Sequence, residues 1–246
     1  MNEQTVEKMR TLKLFGMQRA FKMCMTTNHG QVYTPDELVS LLIEAEWDDR
    51  YNRKLERNIK SARFRYNADI EQIHYEGNRG IDKNLVKRLA ECAFVKQHEN
   101  VLICGSTGIG KSYLASAFGH QACSMGYKVA YEHCSKLFAR LKIAKADGSY
   151  LREIARIEKM DVLILDDFGI QTLDAQSRAA LMEIMEDRYG KSSIIITSQV
   201  PVAKWHEVIG EATIADAILD RIIHDAHRIE LKGESLRKKA MKQMIK

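Results

Sequence analysis

One eight-residue segment constrains this chain more than any other part of it. Residues 105–112 read Gly-Ser-Thr-Gly-Ile-Gly-Lys-Ser; the apolar run Val101–Cys104 precedes them, and the helical pattern Tyr113–Cys123 follows. The glycines allow the backbone to curl until its N–H groups point inward, and the start of a helix adds a field that favours bound phosphates. The segment therefore predicts a strand, a phosphate-binding loop and a helix, in that order.

Two side chains of this loop have the chemistry that a nucleotide needs. Lys111 is predicted to reach the β- and γ-phosphates of ATP, and the Ser112 hydroxyl is predicted to bind Mg²⁺. ATP and Mg²⁺ are therefore the predicted cofactors. The loop residues predicted to contact the nucleotide are Gly105, Ser106, Thr107, Gly108, Ile109, Gly110, Lys111, Ser112 and Tyr113.

A pair of acids follows a second apolar run. Asp166 and Asp167 come directly after Val162–Leu165. A metal ion held by the loop and by phosphates needs a carboxylate partner, and a carboxylate at the edge of a core is costly unless it has one. We predict that Asp166 shares the metal ion with Ser112, and that Asp167 polarises the water that attacks the nucleotide.

Polar groups and arginines later in the chain are further candidates for this site. Thr197, Ser198 and Gln199 end another apolar run and are predicted to emerge at the same sheet edge, although strands often end in Thr or Ser for structural reasons alone. Arg221 and Arg237 each lie in a short defined setting. Arginine is suited to stabilise the negative charge of phosphoryl transfer, and a surface salt bridge is the alternative role for each.

The pattern along the chain predicts two regions. Residues 1–75 read as a small all-helical N-terminal domain, in which Thr34-Pro35-Asp36-Glu37 marks a helix start. Residues 76–246 are predicted to form an α/β domain, a parallel sheet flanked by helices, with a short basic helix at the C-terminus. Its predicted strands are Val101–Cys104, Tyr127–Tyr131, Val162–Leu165, Ser193–Thr197 and Arg228–Leu231.

Positive charge stands out in two parts of the chain, the C-terminal tail and one predicted helix face. The net charge is +5, with most of the surplus in residues 228–246. The residues of the face fall within an arc of roughly 120° at 100° per residue, and they are Arg50, Arg53, Lys54, Arg57 and Lys60. We predict that this basic face contacts DNA phosphates; a solvated flank balanced by nearby acids is the alternative.

Several classes of protein are excluded by composition. The chain has no apolar stretch of the roughly 18 to 20 residues that a membrane span needs, and its N-terminus lacks the apolar core of a signal peptide. Its cysteines are scattered without the spacing of a zinc site. A cytoplasmic protein with no membrane partner is therefore expected.

Taken together, these motifs make the chain resemble AAA+ ATPases of the initiator and helicase-loader branch. Within that branch it most resembles the IstB-like ATP-binding proteins, which are helper ATPases of insertion-sequence transposition and are similar to DnaC-like helicase loaders. The resemblance covers nearly the whole chain. Beyond the phosphate loop, it is carried by Arg79–Lys83, Leu165–Gly169, Ile196–Val202, Trp205-His206, Ala215–Arg221 and Gly233–Lys238.

The resemblance implies roles that the residues alone do not. It implies that Ser198 or a neighbour senses the γ-phosphate, that Arg221 acts on the ATP of an adjacent subunit, and that Arg237 acts as a second sensor. It implies ATP-dependent self-assembly on duplex DNA and contact with a transposase of the same element through the helical N-terminal region. Asp167 stands where most AAA+ proteins have Glu, which implies slow hydrolysis; the transposition role implies that DNA stimulates it. Fewer residues follow the last strand than the usual helical lid requires.

Two other functions stay open from the sequence. A DnaC-like helicase loader would share the fold, and an ATP-gated DNA scaffold with little turnover would suit the shorter acid Asp167. The details Gln199-Val-Pro201 and Trp205-His206 favour the transposition helper over the loader.

Overall fold

The structure is a computed structural model that describes residues 2–26, 33–73, 75 and 79–236. The chain forms two compact units, Met1–Arg57 and Asn58–Lys246. This division falls before the predicted boundary at residue 75. Arg237 and the predicted basic C-terminal helix lie outside the described residues.

The first unit is helical over its described residues. Its helices are α1 (Asn2–Thr11), α2 (Phe15–Thr26) and α3 (Pro35–Ala62), of which α3 runs past the division between the units. At the start of α3, Glu37 N donates to Thr34 Oγ1 across 3.3 Å and Thr34 N donates to Glu37 Oε2 across 2.8 Å. These reciprocal bonds form the predicted capping box.

Close packing of α2 against α3 depends on a glycine and a buried acid. A Cβ on Gly16 would lie 2.1 Å from the carbonyl oxygen of Ala45, so a larger residue could not occupy this position. Glu46 of α3 is buried, and its Oε2 accepts hydrogen bonds from the backbone N–H groups of Gly16 and Met17. The carboxylate therefore satisfies unpaired donors at the start of α2, where a negative charge is favoured.

The second unit is built on a parallel sheet of five strands. The strands are β1 (Asn100–Gly105), β2 (Val129–His133), β3 (Val162–Phe168), β4 (Ser193–Ser198) and β5 (Ala226–Leu231), and their order in space is β2-β3-β4-β1-β5. Its helices are α4 (Lys83–Ala90), α5 (Ala93–Lys96), α6 (Lys111–Ser124), α7 (Cys134–Asp147), α8 (Tyr150–Glu158), α9 (Ala175–Arg188), α10 (Trp205–Ile209) and α11 (Ala212–Ile223), with a 3₁₀ turn at Val202–Lys204.

Both faces of this sheet are covered by apolar side chains. Val101 and Ile103 of β1 belong to one buried cluster, whereas Leu102 and Cys104 belong to the other. Successive side chains of a strand point to opposite faces, so a strand covered on both sides needs an uninterrupted apolar run. This explains why the strands are readable as continuous apolar segments, and the predicted α/β fold with a parallel sheet is confirmed. No helix in the described part of the chain combines the length and apolar character that crossing a membrane requires.

Candidate functional site

The candidate site lies at the carboxyl edge of the sheet, in the loop between β1 and α6. Gly105 and Gly108 have φ values of 151° and 76°, a region that favours glycine. A Cβ on Gly108 would also lie 2.3 Å from the hydroxyl oxygen of Ser235, and one on Gly105 would lie 2.5 Å from the carbonyl oxygen of Leu231. The curled backbone is therefore possible only with glycine at these positions.

Lys111, the first residue of α6, is buried beneath this loop. Its Nζ donates to the carbonyl oxygens of Gly105 and Ser106, at 2.8 and 2.9 Å. The ammonium group therefore lies inside the curl of the loop and adds positive charge to the start of α6. A cavity beside it is lined by Arg65, Tyr66, Thr107, Gly108, Gly110, Lys111, Ser112, Tyr113, Asp167, Gln199 and Leu236.

Asp166 is fully buried at the end of β3 and holds a network of hydrogen bonds. Its Oδ1 accepts from Ser112 Oγ at 2.7 Å and from Thr197 Oγ1 at 2.6 Å, and its Oδ2 accepts from the Tyr131 hydroxyl at 2.5 Å. Burial alone would raise the pKa of Asp166, but the hydrogen bonds from Thr197, Tyr131 and Ser112 and the charge of Arg65 outweigh it and lower that pKa. The carboxylate is therefore ionised, as a metal ligand must be.

The chain turns sharply at Asp167, whose φ is 60°. Asp and Asn adopt this left-handed conformation more readily than longer residues. The backbone N–H of Asp167 donates to Thr197 Oγ1 at 3.0 Å, and its Oδ2 lies 3.3 Å from Arg65 Nη1 and 3.4 Å from His133 Nε2. The carboxylate also lines the cavity beside Lys111, so it is accessible to a bound ligand.

The end of β4 contributes side chains in two directions. Thr197 and Gln199 face the site, since Thr197 binds Asp166 and Gln199 Oε1 accepts from Thr107 Oγ1 at 2.8 Å. Ser198 faces the other way: its Oγ donates to the carbonyl oxygen of Phe168 at 2.7 Å and accepts from Val200 N at 3.0 Å. The neighbours of Ser198, rather than Ser198 itself, therefore contact the predicted site.

Arg221, near the end of α11, lies at the opposite end of β1 from the loop. Its carbonyl oxygen accepts from Asn100 Nδ2 at 3.1 Å, and Asn100 is the first residue of β1. The guanidinium binds Glu186 Oε2 at 2.7 Å and lies 5.9 Å from the ring centre of Tyr189. The structure does not bring Arg221 together with Lys111 or Asp166.

A second, mainly apolar cavity adjoins the loop. It is lined by Gln72, Ile73, Arg79, Ile81, Gly110, Tyr113, Leu114, Leu231 and Leu236. Tyr113 and Gly110 line both cavities, and Arg79 Nη2 donates to the carbonyl oxygen of Ile109 at 2.6 Å. The loop therefore adjoins both a polar cavity, which Arg65 and Lys111 line, and a mainly apolar cavity.

Comparisons with known proteins decide the family. Residues 7–244 match the family described as IstB-like ATP binding protein. The chain belongs to the IstB-like ATP-binding protein family. An insertion sequence ATP-binding protein of Sinorhizobium fredii is 45% identical over 234 residues, which are 95% of this chain and 96% of that protein.

Solved structures share the fold at lower identity. The crystal structure of DnaI aligns with a TM-score of 0.58 and 22% identity, over 69% of this chain and 90% of that chain. The DnaC helicase loader aligns with a TM-score of 0.57 and 21% identity, over 68% of this chain and 98% of that chain. These likenesses and the phosphate loop confirm the predicted AAA+ P-loop fold.

The predicted basic face of this IstB-like protein is more neutral than its sequence indicated. Arg50 Nε lies 2.6 Å from Glu46 Oε1, and Arg53 Nη2 lies 2.5 Å from Asp49 Oδ2. Lys54 and Arg57 are exposed on the same helix, and so is Lys60, the member of the face in the second unit.

Three residues that contact the acids were not predicted. His133 ends β2, which pairs directly with β3, so the rule that parallel strands end at one edge offered a signal for it; Tyr131 lies two residues earlier on the same strand. Arg65 lies in the irregular segment after α3, where no motif marks it.

Proposed function

We propose that this protein is an ATP-dependent, DNA-binding AAA+ ATPase that assembles on target DNA and recruits or stimulates the transposase of its insertion sequence. The observation that carries the proposal is the bond between Ser112 of the loop and the buried, ionised Asp166, in a chain whose relatives are named insertion sequence ATP-binding proteins. Burying a carboxylate costs free energy, so a purely structural role would not explain why Asp166 lies beside the phosphate loop.

ATP would lie across the two cavities that adjoin the loop. Its phosphates would bind the loop N–H groups and Lys111 Nζ, which turns from the carbonyl oxygens of Gly105 and Ser106 toward the β- and γ-phosphates. The base would enter the apolar cavity between Ile73, Ile81 and Leu231. Tyr113 and Gly110 would lie between phosphates and base, because they line both cavities.

The residues present fit a magnesium ion. Ser112 Oγ and Asp166 Oδ1 supply the hard oxygen ligands that Mg²⁺ prefers, and Asp166 is held ionised by its hydrogen bonds. These two residues would hold the ion beside the phosphates. When bound, Mg²⁺ neutralises charge that develops on the β- and γ-phosphate oxygens.

Hydrolysis would depend on Asp167. Its carboxylate lines the cavity and would accept a hydrogen bond from a water molecule in line with the γ-phosphorus. As the water oxygen bonds to phosphorus, the bond from phosphorus to the β,γ-bridging oxygen breaks and ADP leaves. The water proton passes to Asp167 and then to solvent. Thr197 orients both acids, because its hydroxyl bonds Asp166 Oδ1 and the backbone N–H of Asp167.

Self-assembly would complete the site. Five residue steps of β1 separate Asn100 from Gly105, a distance of roughly 17 Å at about 3.3 Å per residue. The backbone of Arg221 is hydrogen-bonded to Asn100, at the far end of β1 from the loop. Its side chain is therefore too short to reach the phosphates of ATP bound by the same subunit. We therefore propose that Arg221 acts on ATP bound by an adjacent subunit, where it stabilises the charge of the transition state.

Contact with DNA is proposed for the exposed part of the basic face. Lys54, Arg57 and Lys60 are exposed on α3, and the acids Glu46 and Asp49 already neutralise part of the charge of Arg50 and Arg53.

The proposal is tested by measuring steady-state ATP hydrolysis with and without duplex DNA, followed by strand transfer with the transposase of the same insertion sequence. Wild-type protein is expected to hydrolyse ATP faster with DNA and to stimulate strand transfer only with ATP. Lys111→Ala is expected to lose both activities, and Lys204→Ala, which removes an exposed lysine from the 3₁₀ turn, is expected to keep them. Stimulation of transfer without any turnover would instead indicate an ATP-gated scaffold.

A further inference from the structure

Arg65 bridges the two acids of the candidate site. Its Nη1 lies 3.3 Å from Asp166 Oδ2 and 3.3 Å from Asp167 Oδ2. The side chain is 41% exposed and lines the same cavity as Lys111, Ser112 and Thr107. It is therefore a second cationic group on the wall of the cavity that Lys111 also lines.

The backbone on both sides of Arg65 is anchored to α6. The ring of Phe64 lies 4.2 Å from the ring of His120, centre to centre, and the carbonyl oxygen of Tyr66 lies 3.2 Å from His120 Nε2. The Tyr66 ring also contacts the ring of Tyr113, with 6.2 Å between the ring centres. Because Phe64 and Tyr66 are both held, the backbone of Arg65 is fixed between them. The guanidinium therefore changes its position by rotation of the Arg65 side chain.

The charges around Arg65 change when a nucleotide binds. The Arg65 guanidinium lies beside two carboxylates, which is favourable in a partly desolvated cavity. With the phosphates and a divalent cation bound beside Ser112 and Asp166, Asp166 has another cationic partner, and new anionic oxygens lie within the cavity. The favoured partner of Arg65 then becomes the terminal phosphate, which offers several acceptor oxygens to its N–H donors.

We propose that Arg65 is a γ-phosphate ligand from the same subunit, which exchanges its contacts with the two acids for contacts with the terminal phosphate when ATP binds. Arg65 thereby makes the site prefer ATP to ADP, since ADP has no phosphate at that position. This inference rests on the proposed ATP site, and it adds a residue that belongs neither to the phosphate loop nor to the late arginines.

The test is to measure binding of ADP and of the non-hydrolysable analogue AMPPCP, with Mg²⁺, by displacement of a fluorescent ADP. In Arg65→Ala, AMPPCP is expected to bind about tenfold more weakly, because one charge-assisted contact is lost. Binding of ADP is expected to stay within about twofold of wild type, as only the terminal phosphate is affected. Arg65→Lys, which keeps the charge but not the planar fork, is expected to retain part of the preference.

Arg63→Ala is the matched control, because Arg63 is exposed and lies two residues from Arg65. The Arg63→Ala protein is expected to prefer AMPPCP over ADP as strongly as wild type does. An unchanged preference in folded Arg65→Ala would overturn the proposal, and so would tighter binding of both nucleotides, which would mean that Arg65 only blocks the acids. If Arg65→Ala does not fold, Arg65→Gln replaces it, and the same two results count against the proposal. Failure of wild-type protein to bind either nucleotide would instead contradict the proposed ATP site.

Discussion

Ser112 Oγ and Asp166 Oδ1 lie 2.7 Å apart, although 54 positions separate the two residues in the chain. They meet because β1 and β3 flank β4 in the sheet, so that the loop after β1 and the last residues of β3 reach the same edge. Thr197 of β4 lies between them, and its hydroxyl reaches the same carboxylate oxygen at 2.6 Å. The strand order therefore brings together the pair proposed to bind the metal ion and the threonine that supports it.

The first prediction concerns the acid proposed to act on water. Asp167→Asn is expected to leave ATP binding near wild type and to slow single-turnover hydrolysis by at least about a hundredfold, the scale of a general base. Asn tolerates the φ of 60° at this position, so the fold is expected to be preserved. Hydrolysis at the wild-type rate would show that Asp167 is not the water-polarising acid.

Asp167→Glu is the companion variant. Glu is the residue that most AAA+ proteins carry after the metal-binding acid, but it is less favoured in the left-handed region. We expect it to lower the free energy of unfolding by about 1 kcal/mol, measured by urea denaturation. Equal stability with faster hydrolysis would mean that the backbone at this position does not select the shorter acid.

The second prediction tests whether the active site is shared between subunits. Arg221→Ala is expected to bind ATP but hydrolyse it poorly, whereas Lys111→Ala cannot hold ATP yet carries an intact Arg221. When the two variants are mixed with each other in the presence of DNA, part of the steady-state ATPase activity is expected to return. Some interfaces then pair an intact phosphate loop from one subunit with an intact Arg221 from the next. A mixture of Lys111→Ala with the double variant Lys111→Ala/Arg221→Ala has no sound loop and is expected to stay inactive.

Co-sedimentation decides the meaning of a negative result in that experiment. Should the two single variants assemble together and remain inactive, Arg221 acts within its own subunit or only supports the fold. In that case, its contacts with Glu186 and Tyr189 would be its main role.

The third prediction separates the exposed cations of α3 from those paired with acids. Replacing both Lys54 and Arg57 by Ala is expected to weaken binding to unrelated duplexes equally and to reduce the slope of log K against log salt by about 0.9 per lost phosphate contact. Arg50→Ala is expected to change the slope less, because Glu46 already pairs with Arg50. The measurement is fluorescence anisotropy over a salt series; an unchanged slope in the double variant would make this face a solvated flank.

The fourth prediction concerns Arg188, a buried arginine at the opposite end of β4 from the candidate site. Its guanidinium donates to the carbonyl oxygens of Ile157, Met160 and Ser193 at 2.8 to 2.9 Å, and so joins the end of α8 to the start of β4. Burial lowers the pKa of Arg188 to about 10, so the group is still charged at neutral pH. Arg188→Leu leaves these carbonyls without donors, and we expect a loss of roughly 3 kcal/mol in the free energy of unfolding.

Urea denaturation measures that loss. Arg152→Leu, at an exposed position of α8, is the control and is expected to stay within about 0.5 kcal/mol of wild type. A loss of similar size in both variants would show that the buried donors of Arg188 do not hold the two elements together.

The elements of this fold were predictable where the signal is local. The loop at 105–112 needs glycines at fixed spacing, the capping box at Thr34 needs its partner three residues later, and each strand of a doubly covered sheet is a continuous apolar run. Such features depend on backbone geometry within a few residues. The sequence alone therefore determined the fold class, the phosphate loop and which acid of β3, Asp166, meets that loop.

The partners of that acid were decided only by the tertiary structure. Arg65 and Tyr131 reach Asp166 because the order of the strands and the turn after α3 bring separate parts of the chain to one edge. Ser198 turns away while Thr197 faces the site, because side chains alternate along a strand, and the register against β3 shifts between Leu165 and Phe168. Long-range contacts depend on how apolar faces pack against each other, and no short segment of sequence carries that information.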